Sequence, residues 1–117
     1  MDLFQAIQKH AEWKLKFRNA ISGLETLDLA SIATDNCCEL GKWLHGEGKI
    51  KYNELASHAD CVTKHAAFHV EAGKVAAAIN AKRYSEAEAM LGGGTRYASA
   101  SSDVAVAITR LKREAGV

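Results

Sequence analysis

Residues 55–79 carry one pattern without a fault. Leu55, His58, Val62, His65, His69, Ala72, Ala76 and Ile79 alternate at spacings of three and four. Only an α-helix brings residues at that spacing onto one face, so this stretch predicts a long helix with one inward stripe. The stripe is chemically odd, because three of its eight members are histidine. An unpaired polar group on a buried face is costly. Any fold for this chain must therefore supply partners for imidazole nitrogens inside its core.

The rest of the chain agrees with an all-helical fold. There is no proline, alanine is abundant and β-branched alternation is nearly absent. A first helix is expected from about Leu3 to Ile21, with Leu3, Ile7, His10, Phe17, Ile21 and Leu24 in one stripe interrupted by Lys14, and with Gly23 loosening its end. The segment 28–33 is expected as a connection. Thr34 or Asp35 then caps a short helix carrying CCELGKWLH, and Gly46-Glu47-Gly48 breaks the chain. The long helix should start near Tyr52 or Ser57 and reach about Asn80. Ser85 is expected to cap a short helix through Met90, with Glu88 completing a capping box, and Gly92-Gly93-Gly94 ends it. A last helix is expected from about Thr95 to Glu114, with Tyr97, Ser101, Val104, Ile108 and Leu111 inward and Lys112 and Arg113 in its final turn. Three long helices plus short ones predict an all-α, four-helix-bundle-like domain with additional short helices, spanning 1–117 as one unit.

Bulk properties narrow the function. Fifteen basic and fourteen acidic residues leave a formal charge of +1, which argues against electrostatic capture of nucleic acid or an anionic membrane. No apolar run reaches the length of about 18 residues needed to span a bilayer. The start, MDLFQAIQKH, lacks the basic region of a signal peptide. Three cysteines, two of them adjacent, do not suggest a disulfide framework, and a reducing cytoplasm is expected. No nucleophile–base set, phosphate loop or dinucleotide fingerprint is present, so no enzyme activity is expected.

The histidines suggest metal chemistry. His65 and His69 sit one helical turn apart and can share an ion without distorting the helix. Alone, such a pair is a weak signal, since two histidines bonded to water at a bundle edge give the same pattern. His10, on the inward stripe of another helix, strengthens it, and a cysteine thiolate would complete a tetrahedral His₃Cys set suited to Zn²⁺. Cys61 is one turn before His65, but Cys61 and His69 are separated by roughly 12 Å of helical rise, so Cys61 is expected to be a small buried hydrophobe. Cys37 and Cys38 would point about 100° apart in a helix, so only one can face the site, and their own sequence does not decide which.

The ordered segments HAEWK, CELGKWLHG and HAAFH closely resemble the chemoreceptor zinc-binding (CZB) domain family. The matching residues are His10 and Trp13, then Cys38, Leu40, Gly41, Lys42 and Trp43, then His65, Phe68 and His69. The tail YASASSDVAVAITRLK resembles the family's closing helix, so the likeness extends over essentially the whole chain. Family spacing selects Cys38 over Cys37. The resemblance implies one Zn²⁺ held by His10, Cys38, His65 and His69 in a helical bundle. It also implies a regulatory module of chemoreceptors or diguanylate cyclases, often homodimeric, that senses zinc or hypochlorous acid through the zinc-bound cysteine and acts on a chemotaxis or cyclic-di-GMP output.

The remaining residues have plainer readings. Trp13 and Trp43 are expected in the core, Gly41 at a close helix approach, Lys42 in solvent and His58 either behind the ligands or at an edge. Glu47, Glu54 and Asp60 are at best hydrogen-bond acceptors behind the ligands. Two other functions compete. One is a zinc-stabilised structural or dimerisation module. The other is a hemerythrin-like iron- or oxygen-binding bundle, which the lack of inward Glu-x-x-His pairs disfavours.

Overall fold

The computed structural model describes all 117 residues, Met1–Val117, and contains no strand. Its helices are α1 (Leu3–Ala11), α2 (Trp13–Gly23), α3 (Leu29–Ile32), α4 (Glu39–His45), α5 (Glu47–Tyr52), α6 (Ala56–Asn80), α7 (Tyr84–Met90) and α8 (Arg96–Ala115). The expected all-α, bundle-like class is what the chain adopts. At 1.5 Å per residue, α6 runs about 37 Å, most of the molecule's 43 Å long axis. It packs chiefly on α8, which also receives α1, while α2, α3 and α7 lie against α6. One hydrophobic cluster, built around Leu3, Phe17, Leu40, Phe68, Ile79 and Ile108, joins all the long helices.

The central place of α6 explains a departure from the expected single stripe. Ser57, Cys61, Phe68, Gly73, Val75 and Ala78 are buried as well, so more than one face is covered. Gly73 shows how closely α3 approaches: a Cβ there would lie 2.8 Å from the Ala33 Cβ.

The first helix is divided where a continuous one was expected. The interruption falls at Glu12, two residues past His10, yet the backbone there stays right-handed (φ −66°, ψ −19°) and the Glu12 N–H still reaches the Gln8 carbonyl at 3.0 Å. Leu3, His10 and Phe17 are buried as expected. Leu24 is 66% exposed instead of closing the stripe. It takes a left-handed conformation (φ 54°), which lets the Glu25 N–H reach back to the Ala20 carbonyl at 2.9 Å. A left-handed leucine costs about 1–2 kcal/mol, offset here by closing the free carbonyls of the helix end.

Several expected boundaries also move. Segment 28–33 is not a bare connection: Asp28 accepts from the Ser31 N–H and hydroxyl and starts α3. Neither Thr34 nor Asp35 caps α4, because Thr34 donates to the Ala30 carbonyl and Asp35 pairs with His45. Cys38 is the cap. Gly46 is a joint, but Glu47 and Gly48 belong to α5. The Ser85 capping box does not form, since α7 already begins at Tyr84 behind a left-handed Lys82. Thr95, where the last helix was expected to start, is its cap, accepting from the Ala98 N–H at 3.2 Å.

Gly41 holds the segment before α4 in place. A Cβ there would fall 1.6 Å from the Asp35 carbonyl oxygen. The close approach expected at Gly41 is therefore to a backbone turn and not to another helix. Gly41→Ala should lower stability by at least the roughly 1–3 kcal/mol of an overpacked site. Gly93→Ala, with no atom within 4 Å of the new methyl group, should change it by less than about 0.5 kcal/mol. Thermal unfolding of the two variants checks the contrast.

Candidate metal centre

Three separate parts of the chain meet at the four expected site residues. α1 delivers His10, the turn before α4 delivers Cys38, and α6 delivers His65 and His69. Their nitrogen and sulfur atoms all lie within 4.8 Å of one another. His65 Nε2 is central, 3.1 Å from His10 Nε2, 3.1 Å from His69 Nε2 and 3.2 Å from Cys38 Sγ. Cys38 Sγ lies 3.6 Å from His69 Nε2.

Hydrogen bonds on the far side of two rings orient them. The His10 Nδ1–H donates to the Ala6 carbonyl at 2.7 Å, one turn earlier in α1. The His69 Nδ1–H donates to the Ile32 carbonyl at 2.8 Å, at the end of α3. Those bonds assign the Nδ1–H tautomer to both rings when neutral, so their Nε2 lone pairs point inward. His65 Nδ1 is buried with no partner. A neutral His65 can offer a proton from Nε2 to only one of its two imidazole neighbours, which leaves the cluster short of donors.

Protonation is a poor remedy for that shortage. Burial, followed by the nearby charges of His69 and His10, pushes His65 down to about 3. Burial also lowers His10, against the opposing pull of the Ala6 carbonyl. A cation bound by lone pairs satisfies the same atoms without charging the rings. In a tetrahedral zinc site, N···N edges are about 3.3 Å and N···S edges about 3.6 Å. Four of the six separations in the cluster are within a few tenths of an ångström of those edges, and none exceeds 4.8 Å. The four side chains thus fit a zinc ion by donor chemistry and by spacing. No carboxylate belongs to the group, which separates it from the oxygen-rich sites of di-iron bundles.

The cysteine is held by the N-terminus of α4. Cys38 has an extended backbone (φ −89°, ψ 161°), and its Sγ accepts from the Gly41 N–H at 3.3 Å. Because both adjacent cysteines precede the helix, the 100° argument does not apply to them. What separates them is position: Cys38 is half-buried against the histidines and Cys37 is exposed. Burial raises the Cys38 thiol, partly opposed by N–H groups of Gly41 and Leu40. A cleft of about 410 Å³ opens from solvent onto this side of the centre, lined by Lys9, His10, Trp13, Lys16, Cys37 and Cys38 among others. Lys9 and Glu39 make an exposed ion pair between α1 and the first turn of α4 at 3.4 Å.

Residues around the centre sort clearly. Cys61 is fully buried and pushed up to about 12 by burial, as a small core residue would be. His58 is not at an edge but buried, and its Nε2–H donates to the Leu44 carbonyl at 2.9 Å, tying α6 to the end of α4. Glu47 pairs with Lys51, Glu54 is exposed and Asp60 lies beside Cys61, so none backs a histidine. Backbone carbonyls of Ala6 and Ile32 do that work. The Ala6 carbonyl, four residues before His10 on a predicted helix, was within reach of the sequence pattern; the Ile32 carbonyl depends on α3 and was not. Trp13 is half-buried, stacks near Phe17 and lines the cleft, whereas Trp43 lies over Gly48 and near Tyr52.

The fold and the site define a helical-bundle protein with an interior nitrogen–sulfur donor set suited to zinc. Residues 10–76 match the chemoreceptor zinc-binding domain. That span is more than half of the chain and includes all four clustered residues, so the chain belongs to the chemoreceptor zinc-binding domain family. No curated protein and no solved structure matches it.

The depressed imidazoles make the metal-free chain acid-sensitive. Between the ordinary histidine value of 6.5 and about 3 for His65, the unfolded chain binds protons that the folded chain refuses. Stability of chelator-treated protein should therefore fall as pH drops below about 6.5, by up to about 1.4 kcal/mol per pH unit for each of His10 and His65. Urea titrations at stepped pH measure it. His65→Gln should flatten the slope.

Proposed function

We propose that residues 1–117 act as one regulatory domain that binds a single Zn²⁺ through His10, Cys38, His65 and His69 and reports zinc availability or oxidant through Cys38. The observation that carries this reading is the convergence of four nitrogen and sulfur atoms within 4.8 Å of one another, three of them within 3.2 Å of His65 Nε2. Membership of the family supports it. Bound there, the ion keeps Cys38 as a thiolate and joins α1, the start of α4 and α6 at one point. Four protein ligands leave no open position for a reacting water, which favours a sensing or structural role over an enzyme.

The chain's own geometry links Cys38 chemistry to helix structure. The same sulfur that faces the histidines caps α4. A thiolate attacked by hypochlorous acid becomes a sulfenic acid, with chloride as the leaving ion (RS⁻ + HOCl → RSOH + Cl⁻). The oxidised sulfur is a poorer donor toward metal and a poorer acceptor for the Gly41 N–H, so both attachments weaken together. The far end of α4 stays anchored by buried Leu44 and by the His58 bond. Gly41 and Gly48 do not provide free hinges, since both are filled closely by neighbours. Movement is therefore confined to the segment 35–41 and the facing surface of α1. In the cytoplasm, as a homodimer joined in cis or in trans to a chemotaxis or diguanylate cyclase output, such a shift would be the signal. No helix is long and apolar enough to cross a membrane.

A purely structural zinc module shares the closed ligand set, and the response to oxidant separates the two. Metal analysis should give one zinc per chain. His10→Ala, Cys38→Ser, His65→Ala and His69→Ala should each weaken zinc binding by more than the roughly 10–100-fold cost of losing an outer hydrogen-bond partner. Hypochlorous acid should release zinc from the wild type and speed amide exchange in residues 35–41. Zinc and exchange unchanged by oxidant would leave only the structural module, and two irons per chain would overturn both.

A further inference from the structure

The second cysteine of the pair has no role in the zinc set, and its placement is specific. Cys37 and Cys38 line the same solvent-open cleft. Both lie in the bent segment before α4 and are not part of that helix. Cys37 is exposed, with only a long 3.8 Å contact to the Asn36 side-chain oxygen. The third cysteine, Cys61, is fully buried within α6 and cannot serve this cleft.

We infer that Cys37 is the resolving thiol of the centre, condensing with oxidised Cys38 to form a disulfide between neighbouring residues. The inference rests on Cys38 being the oxidant target. The oxidant, hypochlorous acid or a peroxide, removes two electrons from Cys38 and leaves it as a sulfenic acid. The Cys37 sulfur then attacks the Cys38 sulfur. The S–O bond breaks, the S–S bond forms, and the hydroxide takes the Cys37 proton and leaves as water. No second oxidant is consumed. Consecutive Cα atoms stand about 3.8 Å apart, short of the usual 4.4–6.8 Å span of a disulfide. Such a bond is strained and readily reduced, as a resettable switch requires. Closing the ring also draws Cys38 Sγ toward the cleft and away from His65 and the Gly41 N–H, which prolongs the released state until a thiol reductant restores it.

The test uses the zinc-loaded chain, about two equivalents of hypochlorous acid per chain so that a second oxygen can be added where no disulfide forms, intact mass and peptide mapping. In the wild type the expected product has lost two hydrogen masses, mapped to the 37–38 pair, and regains full zinc binding after a thiol reductant. Cys37→Ser, an exposed substitution expected to leave folding and zinc binding intact, should instead gain two oxygens at Cys38 and recover less than about a tenth of its zinc. Circular dichroism confirms that the variant is folded. Cys38 oxidised with zinc released, but with Cys37 still reduced, overturns this inference and leaves the oxidant-sensor reading standing. Recovery of Cys37→Ser equal to the wild type does the same, as does a disulfide between two chains on a non-reducing gel. No oxidation at Cys38 in either protein overturns both.

Discussion

The burial of three imidazoles at one point is the constraint on which this structure depends. Each ring is nearly or wholly removed from water, and burial opposes the protonated form that would otherwise let one ring donate to the others. The surrounding parts are placed to make this arrangement possible. Ala6 and Ile32 carbonyls hold two rings by their outer nitrogens. Phe68 packs edge-on to His10 and to His69, with ring centroids at 5.3 and 5.6 Å, and keeps water from one side. The helix that carries two of the histidines is the most enclosed in the molecule, which is where desolvation makes lone pairs most available to a cation.

Cys38 joins this interior to the surface. Its sulfur lies against the histidines, accepts from the Gly41 amide in the first turn of α4 and lines the solvent-open cleft. Because the same sulfur caps α4, chemistry at one atom alters both the donor set and a local folding equilibrium. Gly41 makes the coupling tight, because its α-carbon sits against the Asp35 carbonyl and transmits displacement of the cap into the preceding turn. Phe68 in turn touches Tyr97 at 5.7 Å, so the packing around the histidines extends to α8, beyond the span matched by the family.

Much of this was legible before any coordinates. The faultless 3-and-4 spacing of residues 55–79 located α6, and His10 and Phe17 on a second stripe located the inward face of the first helical stretch. The last helix starts where the sequence places it, at Thr95, whose hydroxyl caps it. The errors have a common origin. Capping by Cys38 is not legible in the sequence, since sulfur is a weak acceptor and the cap depends on where Gly41 allows the backbone to pass. Segment 28–33 looked like a connection because a one-turn helix has too few residues for a period. Leu24 fitted the stripe by spacing, but a left-handed turn removed it from the core.

By itself the sequence determined the all-α class, the long helices and the four chemically suited side chains, because helical periodicity and donor type are properties of neighbouring residues. It also selected Cys38, though only by likeness to a family spacing. Tertiary structure decided that the four donors converge, that carbonyls and not carboxylates orient the rings, and that Cys38 doubles as a helix cap beside an exposed Cys37. Those facts depend on how α1, α3, α4 and α6 cross, and crossing is set by packing between residues far apart in the chain, as the Gly41 and Gly73 contacts show.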